Sequence, residues 1–249
     1  MSNEPAIAPT IASEFAVLPQ HIGVIMDGNG RWATAQGKPR NDGHRAGVEA
    51  LRRLVACAVE FEIDYLTIFS FSSENWTRPA DEINAILGLM KRFVASDVSK
   101  FVAHNVRVRI LGRREGLSKA ILQMIDQAES RTAHCTGLQL NVAFNYGGRQ
   151  EITDAVRALV QDAAAGKISA ADIDEAAIAE KLYTAGMPDP DLIFRSSGEE
   201  RISNFLLWQA AYAEFVFYDE FWPEFDREIF VRMLEEFAGR KRRFGGVGA

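Results

Sequence analysis

A chain of 249 residues, 47% hydrophobic and 25% charged, is long enough to bury a substantial core and has a globular rather than a disordered composition. A formal net charge of −6 argues against a general nucleic-acid binder, and the two cysteines, Cys57 and Cys135, in no metal-ligand spacing argue against a disulfide framework or structural zinc. No stretch approaches about 18 uninterrupted apolar residues, so no membrane span is expected and the chain is expected to be cytoplasmic. Residues 1–20 lack a basic region leading into an apolar one and read as a flexible lead-in, which leaves 21–249 as a single domain.

Strand-like and helix-like patterns then alternate. Ile22–Met26 reads as a buried strand, 43–61 as a helix in which Cys57 packs as a small hydrophobe, and Tyr65–Phe71 as a β-rich run. A long helical pattern covers 80–104. Val106, Val108 and Ile110 alternate with Arg107 and Arg109 as in a strand with one wet face. Further helices are expected over 117–133, 149–164, 173–184 and 224–239, and further strands over 138–144, 191–195 and 215–218. Strands separated by helices imply an α/β fold with one mostly parallel central sheet flanked by helices. Ligands of such sheets sit beyond the carboxyl ends of the strands.

Polar clusters follow three of the apolar runs, and one site at one sheet edge explains all of them. In His-Ile-Gly-Val-Ile-Met-Asp-Gly-Asn-Gly-Arg-Trp (21–32), a buried strand stops at Asp27, which could hold a hard cation. Gly28 and Gly30 let backbone N–H groups close on an anion, and Arg31 can fork onto phosphate oxygens. A Walker A loop is excluded, because Pro39 follows Gly37-Lys38 and position 32 is Trp. The dinucleotide fingerprint lacks its third glycine, and a phosphatase with two aspartates two apart would need an acid where Asn29 stands. An acid-tipped strand leading through a glycine turn to a helix N-terminus remains, beside the plainer reading of a sharp turn with an incidental acid. Arg31, Lys38, Arg40, Arg45, Arg52 and Arg53 face only Asp42 and Glu49 in this region, a concentration of positive charge suited to a small anion. Arg40 and His44 approach the N-terminal end of the next helix, where free N–H groups favour anions.

The second cluster, Ser72-Ser73-Glu74-Asn75-Trp76-Thr77-Arg78, packs hydroxyls, an acid, an amide, an indole and a guanidinium before a helix start at Pro79. It is either a polar loop or a place where Asn75 orients a substrate while Trp76 covers an apolar group. In the third, Arg195 and Arg201 could clamp a phosphate with Ser203 as an uncharged donor; a solvated charged turn is the alternative. Glu214 sits in an apolar context and needs a partner, either a metal or an arginine. The apolar stripe Ile83, Ile86, Leu87, Met90, Phe93, Val94, Val98 and Phe101 is a core face or the wall of a lipid-sized cavity.

Taken together, HIGVIMDGNGRW (21–32), the Arg40–His44 stretch, FSSENWTRP (71–79), NYGGR (145–149), DPDLIFRSSGEERISNFLLWQAAYAE (189–214) and RRFGG (242–246) resemble the cis-prenyltransferases, whose bacterial members make undecaprenyl diphosphate. The resemblance covers nearly the whole chain from His21. Ser196 departs from the more frequent Thr but keeps a hydroxyl, and the aspartate-rich box of trans-prenyltransferases is absent. The resemblance implies repeated Mg²⁺-dependent addition of isopentenyl diphosphate to an allylic diphosphate such as farnesyl diphosphate, in a homodimer. It implies that Gly28, Asn29, Gly30, Arg31, Arg40 and His44 hold the allylic diphosphate, that Arg195, Arg201 and Ser203 hold isopentenyl diphosphate, and that Trp32 and Ile202 are further substrate-binding residues. Asp27 would be the catalytic acid and metal ligand, with Glu214 as a further ligand from near the dimer contact. Asn75 would assist proton removal, with Ser72, Ser73, Glu74, Trp76 and Arg78 around it.

An apolar product implies a hydrophobic tunnel between the 43–61 and 80–104 helices and the sheet, kept open at Ser70. The basic run 240–243 reads as a solvated end, a contact across the dimer or an attraction to anionic lipid (peripheral membrane association), with the dimer role favoured. Two other classes stay open: a non-catalytic isoprenoid-binding subunit of the same fold, and a metal-dependent phosphohydrolase.

Overall fold

Every residue of His21–Ile25 is buried, and this first strand, β1, lies near the middle of the sheet. The computed structural model of the chain describes Phe15 and residues 17–240. The other strands are β2 (Tyr65–Ser72), β3 (Arg107–Leu111), β4 (Gln139–Tyr146), β5 (Leu192–Arg195) and β6 (Glu214–Phe217). They form one sheet of order β3-β4-β2-β1-β5-β6 in which all neighbours run parallel. The helices are α1 (Asn29–Ala35), α2 (Arg40–Glu60), α3 (Ala80–Ala103), α4 (Lys119–Thr132), α5 (Gly148–Ala164), α6 (Glu175–Ala179) and α7 (Arg227–Ala238). The chain leaves β1 toward β2 and later returns to place β5 on the other side of β1, so a crevice opens at the carboxyl ends of β1 and β5.

Strand alternation divides the core between the two faces of the sheet. Ile22, Val24, Leu66 and Phe194 join Leu54 of α2, Phe61 just past its end, and Phe230 and Met233 of α7. Ile25, Ala143 and Ile193 join Phe205 and Leu206 on the other side. Side-chain oxygens of Ser118, Asp174 and Asp226 cap α4, α6 and α7.

Element boundaries depart from expectation in two informative places. The helix expected over 43–61 starts at Arg40, directly after Pro39. The helix expected over 173–184 shrinks to Glu175–Ala179, because the Tyr183 N–H is taken by the buried Glu151 carboxylate at 2.8 Å instead of continuing a helix. In the expected lead-in, Phe15 meets the Phe61 ring edge-on and the Gln20 N–H donates to Asp191. Residues 1–14 and 16 lie outside the described residues, as do 241–249 with the RRFGG motif and most of the basic run. Among the described residues, no helix is long and apolar enough to cross a membrane.

One buried polar network ties β1 to β2 and β4. The His21 Nδ1–H donates to the Pro188 carbonyl at 2.8 Å, so Nε2 accepts from the Thr67 hydroxyl at 2.7 Å, and Thr67 accepts from Asn141 at 3.1 Å. Burial pushes the His21 pKa down to about 4, outweighing the Pro188 carbonyl and the charge of Asp191. The unfolded state therefore takes up a proton between pH 6.5 and 4 that the folded state refuses, and stability falls as pH falls through that window. Urea unfolding should show a loss of about 2 kcal/mol from this group by pH 5. A His21→Gln variant should show a shallower pH slope; an equally steep slope would contradict the assignment.

Gly43 marks where α2 crosses α1. A Cβ there would lie 1.9 Å from the Asn29 carbonyl oxygen, so α1 must move away for any other residue to fit. Gly43→Ala should cost about 1–3 kcal/mol, read as a lower urea midpoint at unchanged slope.

Candidate active site

Because Ile25 is in register with Arg195, β1 and β5 end at the same height and their next residues face each other. The Asp27 carboxylate accepts from the Arg195 guanidinium at 2.8 Å and from the Gly28 N–H at 2.6 Å, and Arg31 lies 3.4 Å away. Burial alone would raise the Asp27 pKa. The Arg195 hydrogen bond, the Gly28 N–H and the charges of Arg195 and Arg31 outweigh it and hold the carboxyl below its ordinary value. The Ser196 hydroxyl donates to the Asp27 carbonyl and accepts its N–H, locking the two loops together. Gly28 takes φ 94°, which a side chain would strain, and a Cβ there would meet Phe221 and Ser197 below 3.0 Å.

Arg195 is only 4% exposed. Besides Asp27 it binds the Arg201 carbonyl and the Ser203 hydroxyl, the latter at 2.9 Å, so the loop from 196 to 203 is folded around one guanidinium. These residues line a polar cavity of about 380 Å³ together with Asn29, Gly30, Arg31, Arg40, His44, Ser72, Asn75 and Arg78. Gly30 admits the Arg40 guanidinium, whose atoms lie below 3.0 Å from where its Cβ would be. Thirteen of the expected site residues thus converge on one cavity, at the sheet edge anticipated from the chain.

The remaining expected residues lie elsewhere. Trp32 stacks under the Lys38 ammonium at 5.2 Å, and Ile202 packs against the second core cluster. Ser73, Glu74 and Trp76 lie behind Asn75 in a short 3-10 helix, Ser73–Thr77, and do not line the cavity. Glu214 does not join Asp27 within this chain. It opens β6 opposite Leu192, at the far end of the strand from the Arg195 register, and its carboxylate is held by Arg240 at 2.9 Å. The arginine reading of that acid describes its place in this chain.

Two acids absent from the sequence reading complete the electrostatics. Glu199 binds Arg31 at 2.9 Å and also pairs with Arg201. Glu82 lies 3.2 Å from Arg78, 3.5 Å from His44 and 4.0 Å from Arg40. The spacing of Arg78 and Glu82, four apart at a helix start, was the available signal. His44 is held below its ordinary pKa by burial, against the pull of Glu82.

Asp27 is the one carboxylate lining the cavity, and no group of three or more His, Cys, Asp or Glu among the described residues could hold an ion. A cation here would take one protein carboxylate and complete its shell with water and ligand oxygens. That donor set suits Mg²⁺ better than a soft metal.

A second, apolar cavity of about 140 Å³ lies between α2, α3 and the sheet. Leu51, Ile68, Met90, Phe93, Val98 and Phe101 are among its walls. Met26, Asn29, His44, Phe69, Ser70 and Ile86 line both cavities, so the polar one adjoins the apolar one.

Comparison with known proteins agrees with this geometry. The prenyltransferase family model described as "Putative undecaprenyl diphosphate synthase" matches residues 25–245. The isoprenyl transferase of Agrobacterium fabrum is 53% identical over 230 residues, covering 92% of this chain and 93% of the relative. Isoprenyl transferase 2 of Bradyrhizobium diazoefficiens is 50% identical over 249 residues, covering 100% and 98%. The crystal structure of lavandulyl diphosphate synthase from Lavandula x intermedia with dimethylallyl diphosphate superposes with a TM-score of 0.89 at 31% identity, covering 92% of this chain and 98% of that one. A probable undecaprenyl diphosphate synthase from Campylobacter jejuni gives 0.76 at 34% identity, covering 91% and 98%. The chain belongs to the undecaprenyl diphosphate synthase family of cis-prenyltransferases and is a prenyltransferase.

Proposed function

We propose that the chain condenses isopentenyl diphosphate repeatedly onto an allylic diphosphate, farnesyl diphosphate, in a Mg²⁺-dependent reaction. The product would be a long cis-polyprenyl diphosphate of the undecaprenyl type, the precursor of the cell-wall lipid carrier. The observation that carries this reading is the adjacency of a cavity lined by five arginines and one carboxylate to an apolar cavity, with six residues lining both. A molecule with a charged head and a hydrocarbon tail fits across that junction. The lavandulyl diphosphate synthase neighbour, solved with dimethylallyl diphosphate, supports an allylic diphosphate as one substrate.

In each condensation the allylic C–O bond breaks, a C–C bond forms to the isopentenyl unit, one proton leaves the new chain and pyrophosphate departs. Arg31, Arg40 and the N–H groups of the Gly28–Gly30 turn would bind the leaving diphosphate, where its charge grows as the C–O bond lengthens. Arg195, Arg201 and Ser203 would hold the second diphosphate. Asn75, an amide and hence a poor base, would orient the condensing unit while diphosphate oxygen accepts the proton. Mg²⁺, held by Asp27, would supply further charge against the leaving group. Each methylene transferred into the apolar cavity contributes about 0.8 kcal/mol, which favours threading the growing tail between α2 and α3 as through a tunnel. A homodimer is part of this proposal, and Glu214 would enter a metal shell only across the subunit contact. Peripheral membrane association would serve release of the product.

Incubation with both diphosphates and Mg²⁺ tests the reading directly. An elongated product is expected; free phosphate would mark a phosphohydrolase, and no change a binding subunit. Asp27→Ala should lower turnover on the order of 100-fold or more with an unchanged circular dichroism spectrum, since it removes the cation ligand and the Arg195 partner. Near-wild-type turnover would contradict the role. Ser70, whose hydroxyl lies 4.0 Å from the Met90 sulfur at the junction of the cavities, sets the width of the neck. Ser70→Leu should shorten the product ladder made from radiolabelled isopentenyl diphosphate; an unchanged ladder would place the tail elsewhere.

A further inference from the structure

Asn75 lines the polar cavity, and its two chain neighbours do not. Glu74 and Trp76 are instead each held from behind by an asparagine. The Asn204 amide donates to Glu74 Oε1 at 2.8 Å, and the Trp76 indole N–H donates to Asn145 Oδ1 at 2.8 Å. Both asparagines have left-handed backbones, φ 67° for Asn204 and φ 50° for Asn145, a conformation that asparagine tolerates better than most side chains. Each is fixed again at its other polar end. Asn145 Nδ2 donates to the Arg113 carbonyl at 2.8 Å, and Asn204 Oδ1 accepts the Arg149 N–H at 2.9 Å. The Asn204 carbonyl also accepts the Gly148 N–H at 2.7 Å.

The NYGGR motif acquires a physical reason from this arrangement. A Cβ on Gly147 would sit 2.7 Å from Asn204 Nδ2 and 2.8 Å from the Ser73 hydroxyl. The glycine makes room for the loop after Ser203 to reach the turn that carries Asn75. Burial works against the Glu74 charge, but its own backbone N–H, Asn204, Ser72 and Ser73 outweigh it and hold the carboxyl below its ordinary pKa, so Glu74 stays an acceptor. Asn204 directly follows Ser203, whose hydroxyl binds Arg195.

We propose that Asn145 and Asn204 are positioning residues for the condensation: together they set the Ser73–Thr77 turn from both sides of Asn75, and Asn204 couples that turn to the Arg195–Ser203 loop. The inference rests on the function proposed above and assigns a role to residues that touch neither diphosphate pocket.

Asn204→Asp tests it. Aspartate keeps the left-handed preference and the oxygen that accepts the Arg149 N–H, and replaces the donor to Glu74 with an oxygen that repels its carboxylate. With wild-type protein run alongside on farnesyl and isopentenyl diphosphates, kcat should fall about tenfold while the KM for farnesyl diphosphate stays within about twofold. Adding Glu74→Gln to Asn204→Asp restores a donor and an acceptor in swapped positions and should recover most of that loss. Unchanged kcat in Asn204→Asp, or no recovery in the double variant, would overturn the assignment. Should Asn204→Asp fail to fold, Asn204→Gly keeps the backbone conformation without the amide and is expected to show the same kcat loss; wild-type kcat there would overturn it equally. A wild-type enzyme that makes no elongated product would instead defeat the functional proposal itself.

Discussion

The ion pair between Asp27 and Arg195 is the contact on which the site depends. A guanidinium that is 4% exposed costs a great deal to bury unless its charge and its donors are matched. Here one carboxylate, one carbonyl and one hydroxyl accept from its two terminal nitrogens, while Nε is buried without a hydrogen-bond partner, and the acceptors come from the loop after β1 and the loop after β5. The loop after β5 follows the arginine. It turns through left-handed residues at Ser197, Gly198, Ser203 and Asn204, which its hydrogen bonds to Arg195 and to Tyr218 and Glu220 hold in place. Removing the pair would leave the loop without the partner that shapes it, so the local structure and the chemistry are not separable at this point.

The second constraint is the junction between charge and hydrocarbon. α3 changes character along its length: Ile83, Ile86, Leu87 and Met90 are only partly buried, whereas Val98 and Phe101 are buried in the main core. Side chains that face a cavity lack partner atoms on one side and forgo dispersion contacts there. Ile86, Met90, Phe93, Val98 and Phe101 all line the apolar cavity, so its wall runs along α3 to its end, where Asp97 receives the Arg52 guanidinium at 2.7 Å. A hydrocarbon chain entering the cavity would supply the missing contacts. His44 lies at the boundary between the two cavities, where burial holds its pKa below the ordinary value against the pull of Glu82.

Much of this was legible in the chain because parallel sheets write their strands as apolar runs and their sites as the polar residues that follow. Asp27, Asn75 and Arg195 each stand at or just past the end of such a run, and the fold brings them together as that rule requires. What was not legible has specific causes. Asn41-Asp42-Gly43 reads as turn chemistry, and only the packing of Gly43 against the Asn29 carbonyl shows why a helix runs through it. Glu214 sits among apolar residues and so read as an acid needing either a metal or an arginine; its partner Arg240 is 26 residues away and invisible to any local pattern. Asn145 and Asn204 owe their place to backbone dihedrals and to contacts across 69 and 130 positions, neither of which leaves a trace in spacing.

Five arginines lining one cavity repel each other, and a site left to its lining alone would be unstable without its ligands. The structure meets that difficulty with acids placed mostly outside the lining: Glu199 holds Arg31 and Arg201, and Glu82 serves Arg40, Arg78 and His44. Arg31 and Arg201 are well exposed, and exposed pairs of this kind contribute only about 0–1 kcal/mol each. A diphosphate can therefore take these guanidiniums from Glu199 at small cost, because its oxygens carry more charge and accept in the same forked geometry. Arg195 is different, since it is buried and already donates to Asp27, to the Arg201 carbonyl and to Ser203. Under the function proposed above, the outer arginines are held loosely enough to transfer to a diphosphate, and the inner one is the fixed point against which it would be placed.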